Sequence, residues 1–232
     1  MATNYGTPPI VQEGLVFALD PANKKSYISG SATVTDQIGG KTGTVQGSGL
    51  GVVPLNGLWD MDESSDTGII FAENADFNFG TGDFAVDVWF RADAYSATGS
   101  PTQGTRILAA DKDTATGIDW LLYHNSSTSL AWYTAGQKNA IAIEQGVLYH
   151  VIYTRISGTL KTYRNGIEVA STSFTNNLSG TTGLAIGRSI RTGYTNAGVL
   201  DGAVSAVKIY KGKGLTASEV TQNYNALKSR FE

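Results

Sequence analysis

Leu160-Lys161-Thr162-Tyr163-Arg164-Asn165-Gly166-Ile167-Glu168-Val169-Ala170 is the stretch that decides the fold. Asn-Gly between two β-forming runs is the strongest short-range hairpin signal, because a type I′ turn needs positive φ at both central positions. Upstream, Tyr149-His150-Val151-Ile152-Tyr153-Thr154 reads as a longer strand that feeds this hairpin through Ser157-Gly158. Downstream, Gly183-Leu184-Ala185-Ile186-Gly187 reads as a short buried strand between glycines. Val147 to Arg188 is therefore an antiparallel meander, and the remaining segments extend it.

Phe84-Ala85-Val86-Asp87-Val88-Trp89-Phe90 is the cleanest alternation, with Phe84, Val86, Val88 and Phe90 on one face and Ala85, Asp87 and Trp89 on the other. Leu15, Phe17 and Leu19 share a face of an earlier strand, which Pro21 ends because proline cannot donate to a ladder. Residues 29–57 are rich in Gly, Ser and Thr and predict weak strands and broad loops. Leu58 to Met61, Gly68 to Phe71 and four short apolar runs between Arg106 and Ile143 follow, separated by polar or glycine-bearing turns. In the last strand, Leu200 to Tyr210, strict alternation puts Val204, Ala206, Lys208 and Tyr210 on one face. Thr216-Ala217-Ser218-Glu219 is a capping box that opens a helix, and Val220, Tyr224, Leu227 and Phe231 form its apolar stripe. About a dozen strands and one helix predict an all-β fold: a two-sheet antiparallel sandwich with one short C-terminal helix. Residues 1–13, which include Pro8-Pro9, read as an extended N-terminal arm and 14–232 as one domain.

Composition narrows the function classes. With 232 residues and no cysteine, the chain has the bulk for a large core and neither a disulfide framework nor a thiolate metal site. Its net charge of −3, without a basic run, argues against a nucleic-acid partner. No cationic segment precedes an apolar core near Met1, so neither a signal peptide nor a membrane span is expected, and a protein made in a cytoplasm is the expectation.

The order and spacing of Gly14 to Asp20, Phe84 to Phe90, Tyr149 to Tyr153, Tyr163-Arg164-Asn165-Gly166, Leu184 to Gly187 and Leu200 to Tyr210 resemble laminin-G-like, concanavalin-A-like jelly-roll domains. The ending Val207-Lys208-Ile209-Tyr210, then Leu215 to Val220 and Asn223-Tyr224-Asn225-Ala226-Leu227, is similar to the subgroup found in structural proteins of tailed bacteriophages. The resemblance implies a non-enzymatic virion protein, a capsid decoration or cement module on the particle surface. Its expected partners are other virion proteins, the major capsid protein first, and a host-surface polysaccharide; a homo-oligomer is compatible with this. The arm or a sheet edge is the expected docking element. A calcium-dependent, lectin-like adhesion module is the alternative, and a glycanase a third reading.

Concanavalin-A-like glycanases carry catalytic acids at alternate positions of one strand. Here the nearest match is Asp83 and Asp87, which four strand residues separate by about 13 Å. Two carboxylates flank a glycosidic bond at roughly 5–5.5 Å or about 6.5–9.5 Å, so the pair is too wide. Asp87 therefore reads as a paired polar residue, His150 as a hydrogen-bonded core histidine and His124 as a surface turn residue. No cofactor is required, and calcium is the ion the resemblance admits. A hard cation wants carboxylates and carbonyls, which the acidic loops holding Asp62 and Asp66, and Asp111 and Asp113, could supply. A sugar wants an aromatic face beside groups that bind hydroxyls. Tyr194, flanked by Arg188, Arg191 and Asn196, offers that set in one loop.

Overall fold

The computed structural model describes residues 9–48, 51–53, 57–95, 104–111, 118–134, 136–180, 182–190 and 198–231, with 51–53 and 118 as backbone alone. The first half supplies β1 (Leu15–Leu19), β2 (Thr33–Thr35), β3 (Thr42–Gln46), β4 (Gly51–Val53), β5 (Leu58–Met61), β6 (Gly68–Phe71), β7 (Phe84–Ala92) and β8 (Thr105–Asp111). The second half supplies β9 (Ile118–Ser126), β10 (Ser129–Tyr133), β11 (Gln137–Ala142), β12 (Leu148–Ile156), β13 (Thr159–Arg164), β14 (Ile167–Ser173), β15 (Leu184–Ile186) and β16 (Gly202–Lys211). Helix α1 (Ala217–Leu227) follows, continued by a 3-10 turn at Lys228–Arg230.

Two antiparallel sheets result. The first runs β14-β13-β12-β7-β16-β5-β4, with β1 pairing further along β16, and the second runs β11-β10-β9-β8-β15-β6-β3-β2. The strand count exceeds the dozen expected because β2, β3 and β4 form within the weak 29–57 region. The hairpin forms as the sequence requires. Arg164 pairs with Ile167, and Asn165 and Gly166 take φ of 51° and 82°. Asn165 tolerates that conformation because its Oδ1 accepts the backbone N–H of His150 at 2.9 Å.

The core lies between the sheets. Phe84, Val86, Val88 and Phe90 of β7 enter it as the alternation demands, opposite Tyr149, Val151 and Tyr153 of β12. Trp120 stacks on Trp132 at 5.0 Å and Phe79 on Phe84 at 4.4 Å, so aromatic layers fill the space between the sheets. Arg155 is buried at the edge of this layer. It donates to the carbonyls of Gly80, Gly82 and Asn176 while its guanidinium lies 4.9 Å from the centre of the Phe84 ring. One alternation expectation fails: a bulge between Val204 and Val207 turns Val204 into the core, away from Ala206, Lys208 and Tyr210.

Both outer faces are partly covered. On the first sheet, Val220 of α1 packs with Leu15, Ala18, Ala85, Ile152, Tyr163, Tyr210 and Leu215. Residues 9–13 join this layer. Val11 is buried, its N–H donates to Asn223 Oδ1 at 2.9 Å, and its carbonyl accepts from Tyr210 at 3.1 Å. On the second sheet, Ile190 packs over Ala109, Leu121, Tyr123, Ala131 and Ala185.

Candidate binding rim

One end of the sandwich gathers a group of carboxylates and two guanidinium groups. Here β5 ends, β6 begins, β7 leaves its sheet and β16 enters it, because Asp93 N–H donates to Asp201 O at 2.8 Å. The turn 62–66 is built by Asp62, which caps a 3-10 helix at Glu63–Ser65 and accepts from the N–H and hydroxyl of Ser64 and the hydroxyl of Ser65. Those hydrogen bonds hold the Asp62 carboxyl below the usual range. Asp66 closes the turn in the left-handed region, at φ 50°.

Arg188 reaches this turn from the segment after β15. Its guanidinium donates to Asp66 O at 2.7 Å and sits 3.2 Å from Asp66 Oδ2. Gly68 makes the approach possible, since a Cβ there would stand 2.7 Å from the Arg188 side chain. Across the rim, Arg91 grips Asp93 by donating from Nε and Nη2 to its two carboxylate oxygens, each at 2.6 Å. Asp201 titrates above its ordinary value, first through burial and then through the neighbouring carboxylates of Asp93, Asp62, Glu63 and Asp60. The rim is thus acidic, with two guanidinium groups set into it. Among the described residues, no three acids or histidines converge closely enough to hold a metal ion.

The eight residues singled out in the sequence fall into three sets. Asp62, Asp66 and Arg188 come together at this rim. Asp111 does not: it is fully buried and spent on the second sheet's outer face, where it accepts from Ser189 Oγ at 2.7 Å and Ile190 N at 3.3 Å. Tyr194, Arg191, Asn196 and Asp113 lie outside the described residues, the first three in a segment bracketed by Arg188 and by Gly198, whose carbonyl accepts from Arg106 N.

Sequence reasoning missed a second group. Tyr123 and Tyr133 of the neighbouring strands β9 and β10 meet edge-to-face at 6.0 Å on the second sheet's outer face. Gln137 accepts from the Tyr123 hydroxyl at 3.4 Å and from Asn125 Nδ2 at 3.1 Å. The period-two pattern of these strands was the available signal, since core residues Trp120, Leu122, Leu130 and Trp132 leave the tyrosines facing outward. His124 also differs from expectation. It lies within β9, fully buried beside Tyr95 at 5.3 Å, because the strand continues to Ser126.

The acids of the glycanase comparison are engaged elsewhere. Asp83 accepts from Ser157 N at 2.9 Å. Asp87 is buried beneath α1, where Lys208 Nζ stands 3.0 Å from Oδ1 and His150 Nε2 3.1 Å. Burial alone would raise its pKa; the Lys208 ammonium and the His150 ring outweigh that and hold it far below the carboxylate range. His150 is the hydrogen-bonded interior histidine expected.

Residues 63–221 match the sequence family described as the concanavalin A-like lectin/glucanases superfamily, of the laminin G group. No curated protein matches the sequence. In structure, the chain is similar to a Trypanosoma rangeli sialidase in complex with sialic acid, at TM-score 0.70 and 14% identity over 97% of this chain and 36% of the sialidase. It spans little more than a third of that enzyme. Domain 4 of the arabinanase AbnA from Geobacillus stearothermophilus, in complex with arabinotriose, gives 0.65 and 16% identity over 90% of this chain and 98% of the domain. The binding domain of botulinum neurotoxin DC, in complex with rat synaptotagmin II, gives 0.68 and 13% identity, over 92% of this chain and 52% of that one. Identities this low establish a shared fold.

Proposed function

Since the chain belongs to the laminin G group of the concanavalin A-like lectin/glucanase superfamily, we propose that it is a non-enzymatic carbohydrate-binding module displayed on a phage-type virion. The observation that carries the binding reading is the rim, where Arg188 and Arg91 stand among Asp62, Asp66, Asp93 and Asp201. Carboxylates and guanidinium groups on loops held by a rigid sandwich suit vicinal hydroxyls, and a tyrosine supplies the apolar face of the ring. The non-enzymatic reading rests on Asp87. The one acid on the alternating strand that a glycanase would use is spent inside the protein on Lys208, His150 and Asn223.

The virion assignment rests on the ending from Val207 to Leu227 and its likeness to phage structural proteins. On this reading the particle partner is the major capsid protein. Residues 9–13 are seated on their own helix, which leaves the residues before Pro9 or a sheet edge for docking.

A glycan array probed with and without a calcium chelator tests the binding reading. Retention on a bacterial surface polysaccharide is expected, reduced at least tenfold by Tyr194→Ala. Loss on chelation would assign calcium to the acidic rim. Silence toward every glycan would remove sugar binding and leave the module as decoration. Release of reducing sugar from a β-glucan would overturn the non-enzymatic reading.

A further inference from the structure

Three polar side chains from three elements meet on one buried carboxylate. Lys208 of β16 donates from Nζ to Asp87 Oδ1 at 3.0 Å, and Asn223 of α1 donates from Nδ2 to Asp87 Oδ2 at 2.8 Å. Asp87 and Asn223 are fully buried and Lys208 is 3% exposed. The carboxamide of Asn223 is held at both ends. Its Oδ1 accepts the Val11 N–H at 2.9 Å, while Nδ2 also reaches the Tyr210 hydroxyl at 2.9 Å. Aromatic rings wall the site, with Trp89 4.8 Å from His150 and Tyr224 5.7 Å from the same ring.

A polar cluster of this kind is not needed for stability, because apolar groups of equal volume commonly serve a buried layer as well or better. What the arrangement does contain is each part required for an amine to displace ammonia from a carboxamide. Lys208 is the nucleophile and Asn223 the electrophile. One carboxylate touches both the attacking and the leaving nitrogen, and a backbone N–H points at the oxygen where charge develops. Asp87 and Asn223 are fully buried, which disfavours hydrolysis as a competing reaction.

We propose that Lys208 and Asn223 join spontaneously through an intramolecular isopeptide bond, with Asp87 as the proton shuttle. The resting ion pair first passes one proton from Lys208 Nζ to Asp87 Oδ1, leaving a neutral amine and a neutral acid. The amine lone pair attacks Asn223 Cγ; an N–C bond forms and the carbonyl π pair moves onto Oδ1, against the Val11 N–H. Asp87 then relays protons from the attacking nitrogen to Nδ2. The Cγ–Nδ2 bond breaks as the carbonyl re-forms, and the ammonia released takes the proton remaining on Asp87 and departs as ammonium, which leaves the carboxylate as it began. In sum, an ammonium and a primary carboxamide become a secondary amide and an ammonium ion, with no oxidant, reductant or metal consumed. The bond ties α1 to β16, and it takes place once per chain. This inference is independent of sugar binding.

High-resolution intact-mass measurement of the purified full chain tests it. The expected mass is that of the sequence less one ammonia. Proteolysis should release one branched peptide joining the Lys208 and Asn223 segments, with no tryptic cleavage after Lys208. Succinimide formation at Asn165-Gly166 also sheds ammonia, so the branched peptide decides between them. Lys208→Arg keeps a cation beside Asp87 and the fold, checked by circular dichroism, but should return the unreacted mass and a lower Tm. A full sequence mass for the wild-type chain after prolonged incubation, with no branched peptide, overturns the proposal.

Discussion

His124 shows how one residue's placement sets a pH response. Burial lowers its pKa, because the charged ring would leave water for an interior beside Tyr95. In the unfolded chain the ring titrates near 6.5, so between that value and the lower folded one the unfolded state binds more protons. The neutral ring therefore contributes its full stability above about pH 6.5 and loses it as pH falls below. Thermal unfolding between about pH 7.5 and about pH 5.5 should show Tm falling with acidity, and His124→Gln should flatten the slope. Parallel slopes for the two proteins would mean that His124 does not carry this dependence. The sequence placed His124 in a turn because Asn125 and Ser126 follow it, and both are turn formers. Pairing with β10 overrode that local preference. Asp87 was legible as a paired residue, yet its partners were not. Lys208 and Asn223 lie far along the chain, and no spacing rule links positions on three different elements.

At the scale of elements, α1 was the most legible piece. Its capping box forms as read, with Glu219 N–H reaching Thr216 Oγ1 at 3.4 Å and Thr216 N–H reaching Glu219 Oε2 at 2.9 Å. Glu219 also pairs with Lys213 at 2.8 Å, fixing the turn that leads from β16 into the helix. Thr216→Ala should cost about 1 kcal/mol, read as a lower urea midpoint with an unchanged m-value. An unchanged midpoint would show that packing of Val220 and Tyr224 suffices to hold the helix end. The apolar stripe marked the helix face that buries Val220, and the structure sets Tyr224 and Phe231 of that stripe against the Trp89 ring. It passed over Asn223, because a stripe read by hydropathy discards a polar residue on the buried face. The bulge in β16 was equally hidden. Alternation carries no mark of an extra residue, and β16 must bend there to pair β5 at one end and β1 at the other.

For the whole molecule, the two covered outer faces matter more than the core, since the core follows from strand periodicity and the covers do not. The first sheet is roofed jointly by α1 and residues 9–13, and the two hold each other. Gln222 Nε2 reaches Pro9 O, Val11 N–H reaches Asn223, and the Tyr210 hydroxyl reaches Val11 O. Removing residues 1–13 would therefore break these three hydrogen bonds across the roof, at about 1 kcal/mol each, and leave Asn223 and Tyr210 short of partners. Denaturation of the truncated chain should show a loss of roughly 3 kcal/mol, distributed over the sheet, helix and network that meet at Asp87. An unchanged midpoint would mean that these residues are carried by the fold without supporting it. The result also decides how particle-binding data can be read. If truncation weakens the roof, lost binding after removal of 1–13 reports unfolding as much as docking. Separating the two then requires a shorter deletion, ending before Pro9, whose Tm equals that of the full chain.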